Sequence, residues 1–164
     1  MGLDTTHGCW HGAYTAFRRW RNGIAQAAGM PPLGLMEGYY GWGGIEEGEV
    51  REAQDAIGWD TKHEWARELF RAIAPPPGFP EAALPIQWEC LRPSPLHILL
   101  RHSDCDGSIL TADCGPIADA LEELLPRLPD DEGGGHIGNW REKTETFIAG
   151  LRLAASLGED VGFH

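Results

Sequence analysis

The chain is poor in positive charge. Thirteen Lys and Arg face 25 Asp and Glu in 164 residues, a formal charge of −12. That balance argues against long-range attraction to a nucleic-acid backbone or an anionic membrane. Long apolar runs are missing too, and none approaches the ~20 residues of a membrane-spanning helix. No basic segment followed by an apolar one opens the sequence, so no secretory leader is expected. Cysteine is scarce: Cys9, Cys90, Cys105 and Cys114 follow no disulfide-scaffold spacing. Free thiols and a cytoplasmic, reducing setting are the expectation. Also missing are a phosphate-binding P-loop, a Gly-x-Ser-x-Gly elbow, a His-Glu-x-x-His pair and a Cys-x-x-Cys pair. No familiar catalytic constellation is legible.

What is present fits one domain over residues 1–164, since a chain of about 150 residues hides roughly 70% of its unfolded surface. The first long helix is expected from Thr6 to Ala28, stopped by Gly29, Pro31 and Pro32. Trp10, Ala13, Phe17, Trp20, Ile24 and Ala27 recur at steps of three and four and predict its buried stripe. Shorter helices are expected over 46–56 and 60–74. A proline-rich connector fills 75–85. Ile86 to Trp88 reads as a short strand, and Leu96 to Leu100 as a strand or a short helix. Ile117, Leu121, Leu124, Leu125 and Leu128 mark another helix. The last helix is expected from an Asn139 cap, with Glu142 three residues on, to Leu157 before Gly158. The sum is a mainly α chain of four to five helices with at most a small β element.

The sharpest chemical signal is the segment from His102 to Asp113. Counting His102 as one, Asp104 and Asp106 fall at three and five, Gly107 at six, Ile109 at eight and Asp113 at twelve. Alternating oxygen ligands, a turn glycine and a closing carboxylate resemble an EF-hand loop. His102 in first place, Asp rather than Glu in last place and a short entering helix depart from that pattern. The metal reading assigns His102, Asp104, Asp106 and Asp113 to a divalent cation, calcium, manganese or zinc. A polar loop facing a ligand without metal is a second reading. The third is turn chemistry alone, with Asp113 capping the next helix and Pro116 in its first turn.

A second polar stripe is His7, His11, Tyr14, Arg18 and Arg21. On the expected helix, His7 and His11 stand i, i+4, the spacing that lets two imidazoles share a metal; the stripe as a whole reads as a ligand-facing surface or a solvated flank. Tyr39, Tyr40 and Trp42 lie in a glycine-rich stretch and are candidates for stacking on a flat ligand. His136 follows Gly133, Gly134 and Gly135 and is a candidate anion contact at a helix start.

Four phrases are informative together: residues 2–14 with Asp4-Thr-Thr-His7 and Trp10-His-Gly-Ala-Tyr14, Leu35 to Tyr40, His102 to Gly107, and Gly134 to Gly138. They resemble small proteins of unassigned function from actinobacteria and their phages. The resemblance implies an intracellular accessory role, with interference in host defence among the roles open to a phage protein. It transfers no catalytic residue. Two functions follow as expectations. One is capture of a small polar ligand, nucleotide-derived in its most specific form, by His7, His11, Tyr14, Arg18, Tyr39, Tyr40, Trp42 and His136. The other is metal-dependent hydrolysis of a phosphate or nucleotide at the 102–113 loop, with His7 or His11 as general acid or base. The expected partner is a small ligand, not nucleic acid or a membrane, and a homo-oligomer is compatible with either function.

Overall fold

The computed structural model describes residues 2–30, 33, 36, 87–128 and 138–164. The chain forms two compact units. One joins Met1–Ala27 to Ser94–His164, and the other is Ala28–Pro93. The fold is mainly helical with two small two-stranded sheets. In the second unit the described residues include a 3-10 turn, Trp88–Cys90, and buried Met30, Leu33, Met36, Trp88 and Leu91. The strand expected over 86–88 is therefore corrected at Trp88. The 46–56 and 60–74 helices and the 75–85 connector lie outside the described residues.

The first unit runs β1 (Leu3–Asp4), a 3-10 turn (Thr6–Gly8), β2 (His11–Gly12), α1 (Tyr14–Ala27), α2 (Leu96–Arg101), β3 (Ser108–Ile109), α3 (Thr111–Leu124), α4 (Trp140–Leu157) and β4 (Val161–Gly162). Both sheets are antiparallel: β1 pairs with β2, and β3 with β4. None of the described helices is long and apolar enough to cross a membrane.

The first helix begins eight residues later than its periodicity predicts, at Tyr14 rather than Thr6. The reason is backbone conformation. His7, Gly8 and Gly12 have φ of 59°, 68° and 154°, which a right-handed helix excludes. The segment instead folds back as a hairpin that places Asp4 opposite His11. His7 and His11 are therefore not neighbours on one helical face. Trp10 still reaches the core, from the hairpin.

Phe17, Trp20 and Ile24 of α1 are fully buried, as the periodicity predicts. Phe17 and Trp20 join Trp10, Phe147 of α4 and Phe163 in an aromatic cluster. The Trp10–Trp20 and Trp20–Phe147 ring centroids are 5.3 and 4.8 Å apart, a range in which aromatic pairs add specific geometry to burial. The Trp20 indole donates to Thr144 Oγ1 at 3.0 Å, and Thr144 Oγ1 donates on to the Trp140 carbonyl. This buried polar chain is satisfied at each link.

The ends of α4 follow their sequence signals. Asn139 Oδ1 accepts from Glu142 N at 3.1 Å. Gly158 closes the helix at φ 69°, a left-handed conformation that glycine adopts without a Cβ clash. The start of α3 does not follow. Its first residue is Thr111, and Leu110 in the cap position makes no side-chain bond. Thr111 N donates instead to Asp160 Oδ1 at 2.8 Å, from just before β4. Asp113 lies in the first turn and is not the cap, because the helix starts two residues ahead of it. Leu96–Arg101 is a helix.

Candidate functional site

The first unit carries two polar constellations. One is built on the hairpin at residues 2–12. Thr5 Oγ1 accepts from Trp10 N at 2.7 Å and donates to Trp10 O, which fixes the hairpin from inside. His7 is the one described non-glycine residue with positive φ. Its Nε2 lies 2.7 Å from Glu159 Oε2 and its Nδ1 lies 2.9 Å from Thr6 Oγ1. A carboxylate accepts only, so Nε2 carries a proton toward Glu159. In the neutral imidazole, Nδ1 then accepts the Thr6 hydroxyl proton. Thr6 Oγ1 also accepts from Gly162 N at 2.9 Å. The His7 side chain is nearly enclosed, whereas Glu159 is exposed.

Next to it, His11 Nδ1 stands 2.6 Å from Asp4 Oδ1, with both side chains exposed. Lys143, in the first turn of α4, donates from Nζ to the His11 carbonyl at 3.4 Å. The same ammonium lies 5.0 Å from the centroid of the Trp10 ring, a cation–π distance. Tyr14 and Arg18 follow on α1 and are half-buried. His7 and His11 are thus in one hairpin, each turned onto its own carboxylate. Tyr39, Tyr40, Trp42 and His136 lie outside the described residues.

The second constellation is the acidic loop after α2. Arg21, buried on α1, sends its guanidinium to Asp104 and to the carbonyl oxygens of Leu99, Leu100 and His102. His102 Nδ1 donates to the Ser103 carbonyl at 2.9 Å. The His102 ring packs on Phe163 with centroids 4.0 Å apart. Burial, aided by the Arg21 charge, pushes the His102 pKa below its ordinary value despite favourable backbone bonds. Asp106 is exposed at the loop tip, and Asp113 belongs to the first turn of α3. Among the described residues no three His, Cys, Asp or Glu side chains group as metal ligands.

The sequence reading leaves out Thr6, Lys143 and Glu159, and places Arg21 only on the polar stripe. Arg21 carried a faint signal, since it stands four residues from Phe17 beside the apolar stripe. Glu159 carried none, because its partner is 152 residues away. Cys9, at the base of the hairpin, has its thiol pushed up to about 12, first by burial and then by Cys114. It is a packing group there, not a nucleophile. Comparison with protein-family models, with curated proteins and with solved structures finds no match for this chain.

Proposed function

We propose that the protein captures a small polar ligand at the hairpin face formed by residues 4–14 and the start of α4. The observation that carries this reading is the orientation of His7 and His11. Exposed His11 turns Nδ1 onto Asp4 at 2.6 Å, which leaves Nε2 for a ligand, while His7, nearly enclosed and bonded through both ring nitrogens to Glu159 and Thr6, braces the hairpin. Preorganised polar groups lose less entropy on binding than free ones. Tyr14 and Arg18, half-buried on α1, complete the proposed set. A nucleotide-derived signal is the specific candidate. Interference with host defence is the setting that the phage resemblance suggests.

The metal-dependent hydrolase reading is weaker because Arg21 already neutralises Asp104. A calcium-type cage needs six or more oxygens converging on one point. With Asp104 drawn to a guanidinium and Asp113 wound into a helix, the 102–113 loop fits turn structure better. The test is native mass spectrometry of the protein as purified from cells. The expected result is an organic adduct, released unchanged on unfolding. A bare protein mass, or a divalent cation that is lost in Asp106→Ala, overturns the proposal.

A further inference from the structure

We infer that the indole N–H of Trp10 and the ammonium of Lys143 together form a binding point for a small oxyanion, a carboxylate or a phosphate. The inference rests on the small-ligand reading above and names the chemistry of the ligand.

Trp10 is 2% exposed, and its Nε1 is buried with no hydrogen-bond partner. A buried donor left unmade costs the full desolvation of its N–H, so such a group calls for an acceptor. Trp20 gives the contrast within the same cluster: equally buried, it has Thr144 at 3.0 Å. The edge of Trp10 that carries Nε1 faces Gly12. A Cβ on Gly12 would sit 3.5 Å from Nε1, but Gly12 at φ 154° carries none. Gly2 approaches from the paired strand, where a Cβ would lie 3.1 Å from the Gly12 carbonyl oxygen. Neither glycine puts a side chain over the indole edge.

Lys143 supplies the charge. An ammonium has three donors. One is directed to the His11 carbonyl, and the ring face of Trp10 satisfies charge without accepting a conventional hydrogen bond. Lys143 also stands in the first turn of the 18-residue α4, at the positive end of its dipole. The Asp4 carboxylate of the same hairpin is engaged by His11 Nδ1. An indole N–H and an ammonium are both donors only. Their natural complement is a ligand with acceptor oxygens and negative charge. A local cation in a chain of net charge −12 suits a small anion and repels a long polyanion.

The test follows the Trp10 indole resonance in proton–nitrogen correlation spectra, assigned by its loss in Trp10→Phe or sequentially if that variant does not fold. Inorganic phosphate and acetate are titrated separately against a chloride control of equal ionic strength. The expected result is a saturable shift of the Trp10 resonance with one or both anions, and the tighter of the two identifies the class. Lys143→Gln, at a half-buried surface position, should weaken that binding about tenfold or more while the other indole resonances keep their places. A Trp10 resonance unmoved by both anions in the folded protein overturns the inference. An organic adduct retained by Lys143→Gln, with Trp10 unmoved, overturns this site and leaves the small-ligand reading standing. A phosphate-responsive Trp10 in a protein that carries no adduct from cells does the reverse.

Discussion

The guanidinium of Arg21 and the carboxylate of Asp104 form an ion pair with unlike ends: the Arg21 side chain is 2% exposed and that of Asp104 is 32% exposed. The same guanidinium takes the last carbonyls of α2 and lies 4.8 Å from the Phe17 ring. One side chain of α1 therefore ends α2, neutralises its dipole and pins the acidic loop. Removing the carboxylate leaves a buried cation short of its counter-charge. Asp104→Asn is expected to destabilise the protein by about 2 kcal/mol, below the full cost of breaking a buried pair because Asp104 is partly solvated. Urea unfolding measures it. A loss within error would show that the carbonyls alone satisfy Arg21.

Stability should rise with pH across the mildly acidic range. Burial lowers the folded-state pKa of His102 below its ordinary 6.5, and burial does the same to His97. Between each lowered value and 6.5 the unfolded chain binds more protons than the folded one, so acid favours unfolding there. Above 6.5 both states are neutral and this contribution levels off. Melting temperatures recorded from about pH 5 to about pH 8 should show that slope. His102→Asn keeps a donor for Ser103 and cannot titrate, so it should flatten part of it. An unchanged profile would mean that His102 titrates as it does in the unfolded chain.

Gly150 of α4 lies against the hairpin, and a Cβ there would meet both the Cys9 sulfur, at 2.5 Å, and the Cys9 backbone, with Cα and N at 2.8 Å. Gly23 of α1 lies against the Trp140 indole instead, which is a side chain. Gly150→Ala should cost about 3 kcal/mol, and Cys9→Ala should not rescue it. Gly23→Ala should be rescued in large part by Trp140→Leu. Double-mutant cycles on unfolding free energy separate the two cases. Rescue of Gly150→Ala by Cys9→Ala would place the clash on the sulfur rather than the backbone.

The cap of α3 comes from a residue remote in sequence. Asp160→Ala should cost about 1 kcal/mol, the usual worth of a capping carboxylate. Asp113→Ala, in the first turn, should lose only the smaller dipole contribution, about 0.5 kcal/mol. Thermal unfolding of the two variants decides it. A larger loss at Asp113 would restore the cap to the position that the sequence pattern favours.

These contrasts show which parts of the molecule are legible in the sequence. The ends of α4 depend on residues three positions apart or adjacent, so Asn139, Glu142 and Gly158 announce them. The buried face of α1 follows from the spacing of Phe17, Trp20 and Ile24. The spacing predicts helix over residues 6–12 of the hairpin because Trp10 and Ala13 continue it, while the positive φ at His7 and Gly12 leaves no periodic trace. The same holds for the site. His7 and His11 stand out as residue types, but Glu159, Gly162 and Asp160 reach their partners across 49 to 156 positions. The sequence places Arg21 on a polar stripe compatible with a solvated flank, and only the fold reveals the carbonyls and the carboxylate that let it be buried.

The pairing of Asp4 with His164, by Asp4 N to His164 O at 2.9 Å and His164 N to Asp4 O at 3.0 Å, sets the order in which the molecule can be made. Thr5 bridges to Phe163, and Thr6 and His7 bind Gly162 and Glu159 in the same zone. During synthesis the opening hairpin emerges some 150 residues before these partners. At typical elongation rates of about 5–20 residues per second that is a wait of roughly eight to thirty seconds. Through that interval the imidazole of His7 lacks its carboxylate, and the hairpin edge lacks its neighbour. The oriented face thus forms only once the 159–164 segment has been made.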